Sequence, residues 1–502
     1  VMLGQEAQSY EYFQNVATID GISDDYYQWY NMGAGSTLKA PSSNYTGDKM
    51  LSYFARINYS FKDRYLVTVT GRFDGSSKFG EDNRFAFFPS AALGWRASEE
   101  DFLKGNKVIS NLKPRVSYGF TGNSGIPTYG SMANLSTSGM AYPFGGTREN
   151  GIGVGSLANP LLRWEKTGQF NVGLDLGFLN ERISLSADYY IKHTTDMLLN
   201  APVPTTSGFR SISTNIGNMR NSGFEFTLNT QNIQTKNFSW SSMLNFSSLK
   251  NKITALSQGD ADIIMAPNNL TILRVGESVG SFFGYIRDGV WGENEAEQAA
   301  IYGKLPGDAK LRDVNNDKQI NESDRVILGK GIPDFYGTFT NTFKYKDFDL
   351  VIELQYSCGS KIYWDGLGTC AMRQGIANSL SMVLDTWTPE NQGATLEQIR
   401  PSNAYYNSLK DDARLYNGSF IRGKNISLGY NLPSDICKKL HLKALRVTLS
   451  AQNIFVISQY PGFDPETTVY NTTTQNEAFA QNIETFGYPK PRTFSFGANI
   501  TF

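Results

Sequence analysis

The chain is poor in the residues on which most catalytic and metal chemistry depends. Among 502 residues there are two histidines, His193 and His441, and three cysteines, Cys358, Cys370 and Cys437. So little imidazole leaves few options for proton transfer or metal ligation at neutral pH. An odd, sparse cysteine set is no disulfide framework. Cys358 and Cys370 could close one loop, but unpaired thiols are the expectation. Charged side chains make up only 19%, against roughly 25% in ordinary soluble domains. Forty-six Lys and Arg nearly cancel 47 Asp and Glu, for a net charge of −1. That balance removes the electrostatic case for nucleic acid or anionic lipid as the main partner. No apolar run approaches the ~18 residues of a membrane helix, and mean hydropathy is −0.35. The opening Val1-Met2-Leu3-Gly4 carries neither the basic region nor the cleavage site of a signal peptide. The expectation is that such a peptide has been removed, or that the chain begins partway through a longer protein.

What is abundant is aromatic and glycine content: 32 Phe, 27 Tyr and 7 Trp, with 48 Gly beside 18 Pro. The apolar residues are spaced by two. Phe170, Val172, Leu174, Leu176 and Phe178 alternate with Gln169, Asn171, Gly173, Asp175 and Gly177. After Asn180-Glu181 the pattern resumes as Ile183, Leu185, Ala187, Tyr189 and Ile191. Period two puts each set on its own face of a strand. The apolar face runs for about ten residues, the length of a tilted membrane strand with lipid outside and polar lumen inside.

The unit recurs. Leu51 to Tyr59 leads through Lys62-Asp63 to Tyr65, Val67, Val69 and Phe73. Phe224 to Leu228 leads through Thr235-Lys236 to Phe238, Trp240, Leu244 and Phe246. Phe339 to Tyr345 leads through Lys346-Asp347 to Phe348, Leu350, Ile352 and Leu354. Between these hairpins lie long polar segments near 13–48, 122–165, 195–219, 251–335, 359–415 and 457–486. Short turns alternating with long loops fit an all-β transmembrane antiparallel barrel with long extracellular loops. About fourteen strands are expected, an even number as such barrels require. A soluble sandwich or propeller also alternates, but loops of this length are rare in compact domains. The chain also ends on a perfect alternation, Phe494 to Phe502, closing on an aromatic residue.

One local motif carries candidate metal chemistry. Asp313, Asn315, Asp317, Gln319 and Asp324 fall at positions 1, 3, 5, 7 and 12 of an EF-hand-type calcium loop. Lys318 stands where that loop prefers Gly, and Asp324 is shorter than the usual Glu. Both departures weaken the site, so a metal-free polar turn over 313–324 is the first reading and a structural calcium ion in the 251–335 loop the alternative. Gly276-Glu277-Ser278-Val279-Gly280 has the letters of a hydrolase nucleophile elbow but lacks its strand, helix and histidine. Gly151-Ile152-Gly153-Val154-Gly155 has no strand–helix unit to cradle phosphate. His193 is expected at the membrane rim. Tyr285, Trp291, Tyr302, Trp364, Trp387, Tyr405 and Tyr406, in the two longest loops, could stack on sugar or simply pack the loops. No catalytic residue is nominated, and the chain is expected not to be an enzyme.

Several segments resemble the SusC/RagA branch of TonB-dependent transporters. They are Arg64-Tyr65-Leu66 through Arg72-Phe73-Asp74-Gly75-Ser76-Ser77-Lys78-Phe79, with Phe88-Pro89-Ser90 and Gly94-Trp95-Arg96. The others are Asn215-x-Gly217-x-x-x-Asn221-x-Gly223-x-Glu225, Ser419-Phe420-Ile421-Arg422, Leu428 to Pro433, Gln452-Asn453 and Tyr460-Pro461-Gly462-Phe463-Asp464-Pro465-Glu466. The resemblance covers nearly all of 1–502. It implies the C-terminal portion of such a transporter, about fourteen strands of a 22-stranded barrel. The plug and first strands would lie outside this chain. It further implies the outer membrane of a Bacteroidetes-type bacterium, a SusD-like surface lipoprotein as lid, and TonB acting through the plug. The cargo would be a glycan or a peptide, with glycan favoured as the family's commoner use. A self-contained passive porin of about fourteen strands and an outer-membrane enzyme are the competing readings.

Overall fold

The structure, a computed structural model, describes the chain apart from residues 25, 27, 29, 138–139, 266–268, 372–377, 400–408, 468–478 and 480. Fourteen long strands form one antiparallel meander: β1 (Met2–Val16), β2 (Ser42–Phe61), β3 (Tyr65–Ser76), β4 (Phe85–Trp95), β5 (Ile109–Asn123), β6 (Glu165–Phe178), β7 (Ile183–Thr195), β8 (Asn218–Gln234), β9 (Phe238–Ser248), β10 (Phe335–Tyr345), β11 (Phe348–Cys358), β12 (Phe420–Asn431), β13 (Ala444–Gln452) and β14 (Thr493–Thr501). Every strand pairs with its neighbours in sequence, from β1 to β14. Two short pieces, Lys250–Ala255 on β8 and Val456–Ser458 on β12, complete a sixteen-stranded sheet. Among the described residues β1 pairs only with β2, and β14 only with β13, so the sheet is open along both edges. No helix among the described residues is long and apolar enough to cross a membrane.

Register converts the period of two into two chemically distinct faces. Phe170 lies between Tyr118 and Ile191, Val172 between Val116 and Tyr189, and Leu174 between Pro114 and Ala187. The intervening positions oppose Asn171 to Ser117, Gly173 to Arg115 and Asp175 to Lys113. Arg115 grips both oxygens of Asp175, at 3.0 Å each, and Asp188 at 2.8 Å. Half-buried charges gain from such partners, and this network sits on the polar face. The apolar face is left uncovered, with Phe73, Val172, Tyr189, Phe494 and Phe496 all exposed. Lipid is the solvent that fits it.

The longest connections all lie on one rim. One rim carries 62–64, 96–108, 179–182, 235–237, 346–347 and 432–443; the other carries 17–41, 77–84, 124–164, 196–217, 249–334, 359–419 and 453–492. The tight turn after β2 places Lys62 and Asp63 at positive φ, 52° and 54°, the left-handed backbone that short hairpin turns use. The first long loop is shorter than the polar stretch 13–48 suggests. Cross-strand pairing from Phe13↔Tyr45 to Val16↔Ser42 continues through polar residues.

The buried apolar cores lie mainly in the long loops. Leu270, Phe282, Tyr363 and Ile483 form one, gathered from three loops. Tyr363 pairs in parallel with Ile483, and a four-stranded sheet joins Ile263–Met265, Thr271–Leu273, Ser281–Gly284 and Val326–Lys330. The loops thus form a folded cap on one rim.

Candidate functional site

On the polar face near the loop-bearing rim, β11 presents Glu353 and Gln355 at alternate positions. β12 shifts register opposite Glu353/Leu354, and this bulge lets Arg422, Lys424 and Asn425 all line the same depression. Gln452 and Asn453 at the end of β13, with Glu466 and Lys490 from the loop that follows, complete a cavity of about 600 Å³. Arg422 is its post. Its side chain is only 3% exposed, yet Nη2 lies 2.5 Å from Asp464 Oδ1 and Nε lies 2.9 Å from Glu466 Oε2. Glu466 also receives Lys490 at 2.7 Å and Gln355 Nε2 at 2.9 Å. Burial pushes the Glu466 carboxyl up, but Lys490, Arg422 and Gln355 more than offset this and hold it below the usual glutamate range. Lys424 and Glu353 form a looser pair at 3.7 Å.

Three of the sequence segments singled out above therefore meet at one point: Ser419–Arg422, Gln452-Asn453 and Tyr460–Glu466. Glu353, Gln355 and Lys490 were not anticipated. The first two carry a signal, since they fall on the polar phase of β11, whereas Lys490 carries none. The remaining segments have structural roles. Arg72 bonds Asp74 at 2.6 Å, Ser52 at 2.9 Å and Glu6 at 3.0 Å, while Phe79 and Phe88 pack on Trp164. Asn221 accepts from Asn251 Nδ2 at 2.6 Å, and Asn251 in turn accepts from the Val279 N–H at 2.7 Å. Gly223 lies against the Ser248 carbonyl and the Tyr190 hydroxyl, where a Cβ would fall 2.2 and 2.6 Å away.

The two longest loops are joined by a buried ion cluster. Arg287 from 249–334 meets Glu397, at 2.5 Å, and Asp411, both from 359–419. Burial works against the guanidinium charge, but the two carboxylates outweigh it and raise its pKa.

The calcium-loop residues lie in a compact turn. Asp313 accepts the N–H groups of Asp317 and Lys318, at 3.2 and 2.8 Å. Asp317 accepts that of Gln319 at 2.8 Å, and Asn315 accepts that of Asp317 at 3.1 Å. Asp324, fully buried, accepts from Val314 and Asn321 at 2.9 Å each. Lys318 takes a left-handed φ of 66°, the backbone that Gly would supply at that position. Among the described residues no group of three or more His, Cys, Asp or Glu is placed to hold a metal ion.

Ser278 of the elbow-like segment directs its hydroxyl to Asn251, at 3.2 Å, with no strand–turn–helix around it. Of the loop aromatics, Trp291 and Trp387 are buried, at 5% and 3% exposure. Trp291 stacks on Tyr302, and Trp364 meets Tyr416 and Tyr460 edge-on. These rings pack the cap. Tyr405 and Tyr406 lie outside the described residues. Cys358, Cys370 and Cys437 are free thiols.

Comparison with known proteins agrees with this geometry. The family described as "TonB dependent receptor-like, beta-barrel" matches residues 3–454. TonB-dependent receptor P3 of Formosa agariphila is 36% identical over 98% of this chain and 50% of its own length. TonB-dependent receptor SusC of Bacteroides thetaiotaomicron is 34% identical over 93% of this chain and 45% of its own. Among solved structures, the RagAB peptide transporter superposes with a TM-score of 0.82 at 27% identity, covering 100% of this chain and 53% of that one. The chain thus spans about half the length of the relatives it matches. An open sheet with lipid-facing and lumen-facing sides, looped on one rim and sharing this sequence likeness throughout, belongs to the TonB-dependent receptor β-barrel family of the bacterial outer membrane, in its SusC/RagA branch.

Proposed function

We propose that this chain is the C-terminal portion of the barrel wall of an active importer of large nutrients. Residues beyond it would supply the remaining strands and the plug, and TonB would act through that plug. The observation that carries this reading is the polar face. Its ion pairs and amides, from Arg72 through Arg115 to the Arg422 cavity, suit a wet lumen, while its two unpaired edges call for further strands to close the sheet. A passive porin of fourteen strands would need those edges joined to each other. An enzyme finds no support in the relatives, which are receptors and a transporter. The folded cap of loops is the surface on which a SusD-like lipoprotein would close.

For cargo, glycan is the first reading, on the family's commoner use. Peptide is the second, and one observation favours it: two of the loop tryptophans that would stack on sugar rings, Trp291 and Trp387, are buried in the cap, and the cavity is lined by amides and charges. RagAB, one of the structural relatives, is a peptide transporter. Calcium at Asp313, Asn315, Asp317, Gln319 and Asp324 belongs to the same proposal as a clip for the cap.

The test is growth of the native bacterium, with the gene deleted and restored, on defined oligosaccharides or oligopeptides as sole carbon source. Loss on one class alone assigns the cargo. Loss on neither, with wild-type uptake of both, overturns import of these nutrients. Intact masses of the complex purified in mild detergent would show whether a lid lipoprotein and a plug-bearing polypeptide accompany the barrel.

A further inference from the structure

The whole-chain charge of −1 conceals a local asymmetry on the lipid side of the sheet. Register sets His193 of β7 opposite Arg220 of β8, and Arg220 opposite Lys252 in the strand Lys250–Ala255. Lys250 lies opposite Ser222, one row below. All of these share the face of Phe170, Tyr189 and Phe224, because they keep the same phase of the alternation. The opposite phase is independently fixed. Asn221 and Asn251 bond each other and the Val279 backbone beneath the cap. Arg220, Lys250 and Lys252 are therefore exposed on the outer side, just above an aromatic band and at the rim that carries the long loops.

Arg220 and Lys252 form a directly opposed pair of like charges, an arrangement that destabilises a sheet unless something lies between them. No carboxylate supplies it. Among the described residues none of Arg220, Lys250 and Lys252 takes part in an ion pair: Asp196 is engaged by Arg163 and Asp262 by Arg274, and Glu277, whose carbonyl accepts the Ile253 N–H, pairs with none of the three. Directly opposed Cβ atoms lie roughly 4.5–5.5 Å apart and diagonal ones roughly 7–8 Å. Three long cationic side chains on that spacing can converge on one tetrahedral anion.

We propose that this outward patch docks the phosphate of an anionic glycolipid headgroup in the outer leaflet. Two features select a lipid over a soluble anion. The patch continues the lipid-facing aromatic band without a break. It also sits at the height where long cationic side chains reach from the apolar zone into headgroups. His193 completes the row at its β7 end. The inference rests on the outer-membrane placement and not on the import reading.

The test uses the full-length transporter, purified in mild detergent and presented with phospholipid vesicles containing lipopolysaccharide. Native mass spectrometry counts the retained glycolipid. Wild type should hold phosphorylated lipopolysaccharide, and the double variant Arg220→Ser/Lys252→Ser about thirtyfold less, the scale of removing two cations from an anionic surface. The charge-preserving Arg220→Lys/Lys252→Arg should retain it, and a heat-dependent gel shift would verify that each variant is folded. Equal retention by the double variant, equal retention of dephosphorylated glycolipid, or displacement by inorganic phosphate alone would each overturn the proposal. Nutrient uptake by the double variant should match wild type, so that failure of the import reading and failure of this one are separable.

Discussion

Arg422 of β12 and Asp464 of the loop after β13 stand 42 residues apart in sequence and 2.5 Å apart in space. The pair pins a long loop onto the lumen wall, and the guanidinium has its second carboxylate in Glu466. Removing the cation leaves two carboxylates in a largely buried site, a loss of about 3–5 kcal/mol where a buried pair is broken. Arg422→Met should therefore release the 453–492 loop to protease on intact cells while the barrel's heat-dependent gel shift persists. Arg422→Lys should rescue only in part, because one ammonium cannot match the guanidinium fork. Unchanged cleavage of Arg422→Met would refute the clasp.

Acid should open the same clasp. The Glu466 carboxyl is depressed below its ordinary value of 4.5. A depressed acid contributes stability that is fully present above the unfolded pKa and is lost as pH falls through the lower folded value. Loop protection should thus be flat from neutrality down to about the ordinary glutamate range and fall below it. Glu466→Gln should start lower and lose that acid limb. A wild-type profile flat throughout would remove Glu466 as the titrating group.

Gly223 is required for its lack of a side chain. A Cβ there would meet the Ser248 carbonyl at 2.2 Å and the Tyr190 hydroxyl at 2.6 Å. The tyrosine can swing away, but the backbone carbonyl cannot. Gly223→Ala should destabilise the β7–β8 region by about 1–3 kcal/mol, as overpacking does. The double variant Gly223→Ala/Tyr190→Phe should recover little, since the carbonyl is the harder obstacle. Full recovery, read from the temperature of the gel-shift transition, would place the conflict on the hydroxyl instead.

The strands were legible because lipid on one side and water on the other impose strict period two, and the hairpins because Lys62-Asp63, Asn180-Glu181, Thr235-Lys236 and Lys346-Asp347 break it briefly. Loop architecture was not. Arg287 meets Asp411 across 124 residues, and Tyr363 meets Ile483 in a parallel bridge; neither contact leaves a local period to read. At the cavity, resemblance marked Arg422, Asn453, Asp464 and Glu466 individually, but only the β12 bulge brings them onto one wall with Glu353 and Gln355. The patch at Arg220 and Lys252 escaped notice because register alone makes those residues neighbours.

Calcium is tested most sharply through Lys318 and Asp324. Asp313 and Asp324 each accept two backbone N–H bonds, yet a carboxylate offers about four acceptor sites, so both retain capacity for a cation. Hydrogen bonds within the loop already shape the turn, and Lys318 holds a left-handed backbone at a cost of about 1–2 kcal/mol that Gly would not incur. With calcium in hundredfold excess over its dissociation constant, stabilisation of the cap should reach about 2.7 kcal/mol, seen as slower proteolysis of 249–334. Lys318→Gly should strengthen the effect. Asp324→Asn should weaken the turn with or without metal; Asn315→Ala should cost the metal-free turn less, because Asp313 also accepts the Asp317 N–H, and should show its larger effect in calcium. Identical proteolysis of wild type in calcium and in chelator would reduce the segment to a polar turn, held by the hydrogen bonds it already makes.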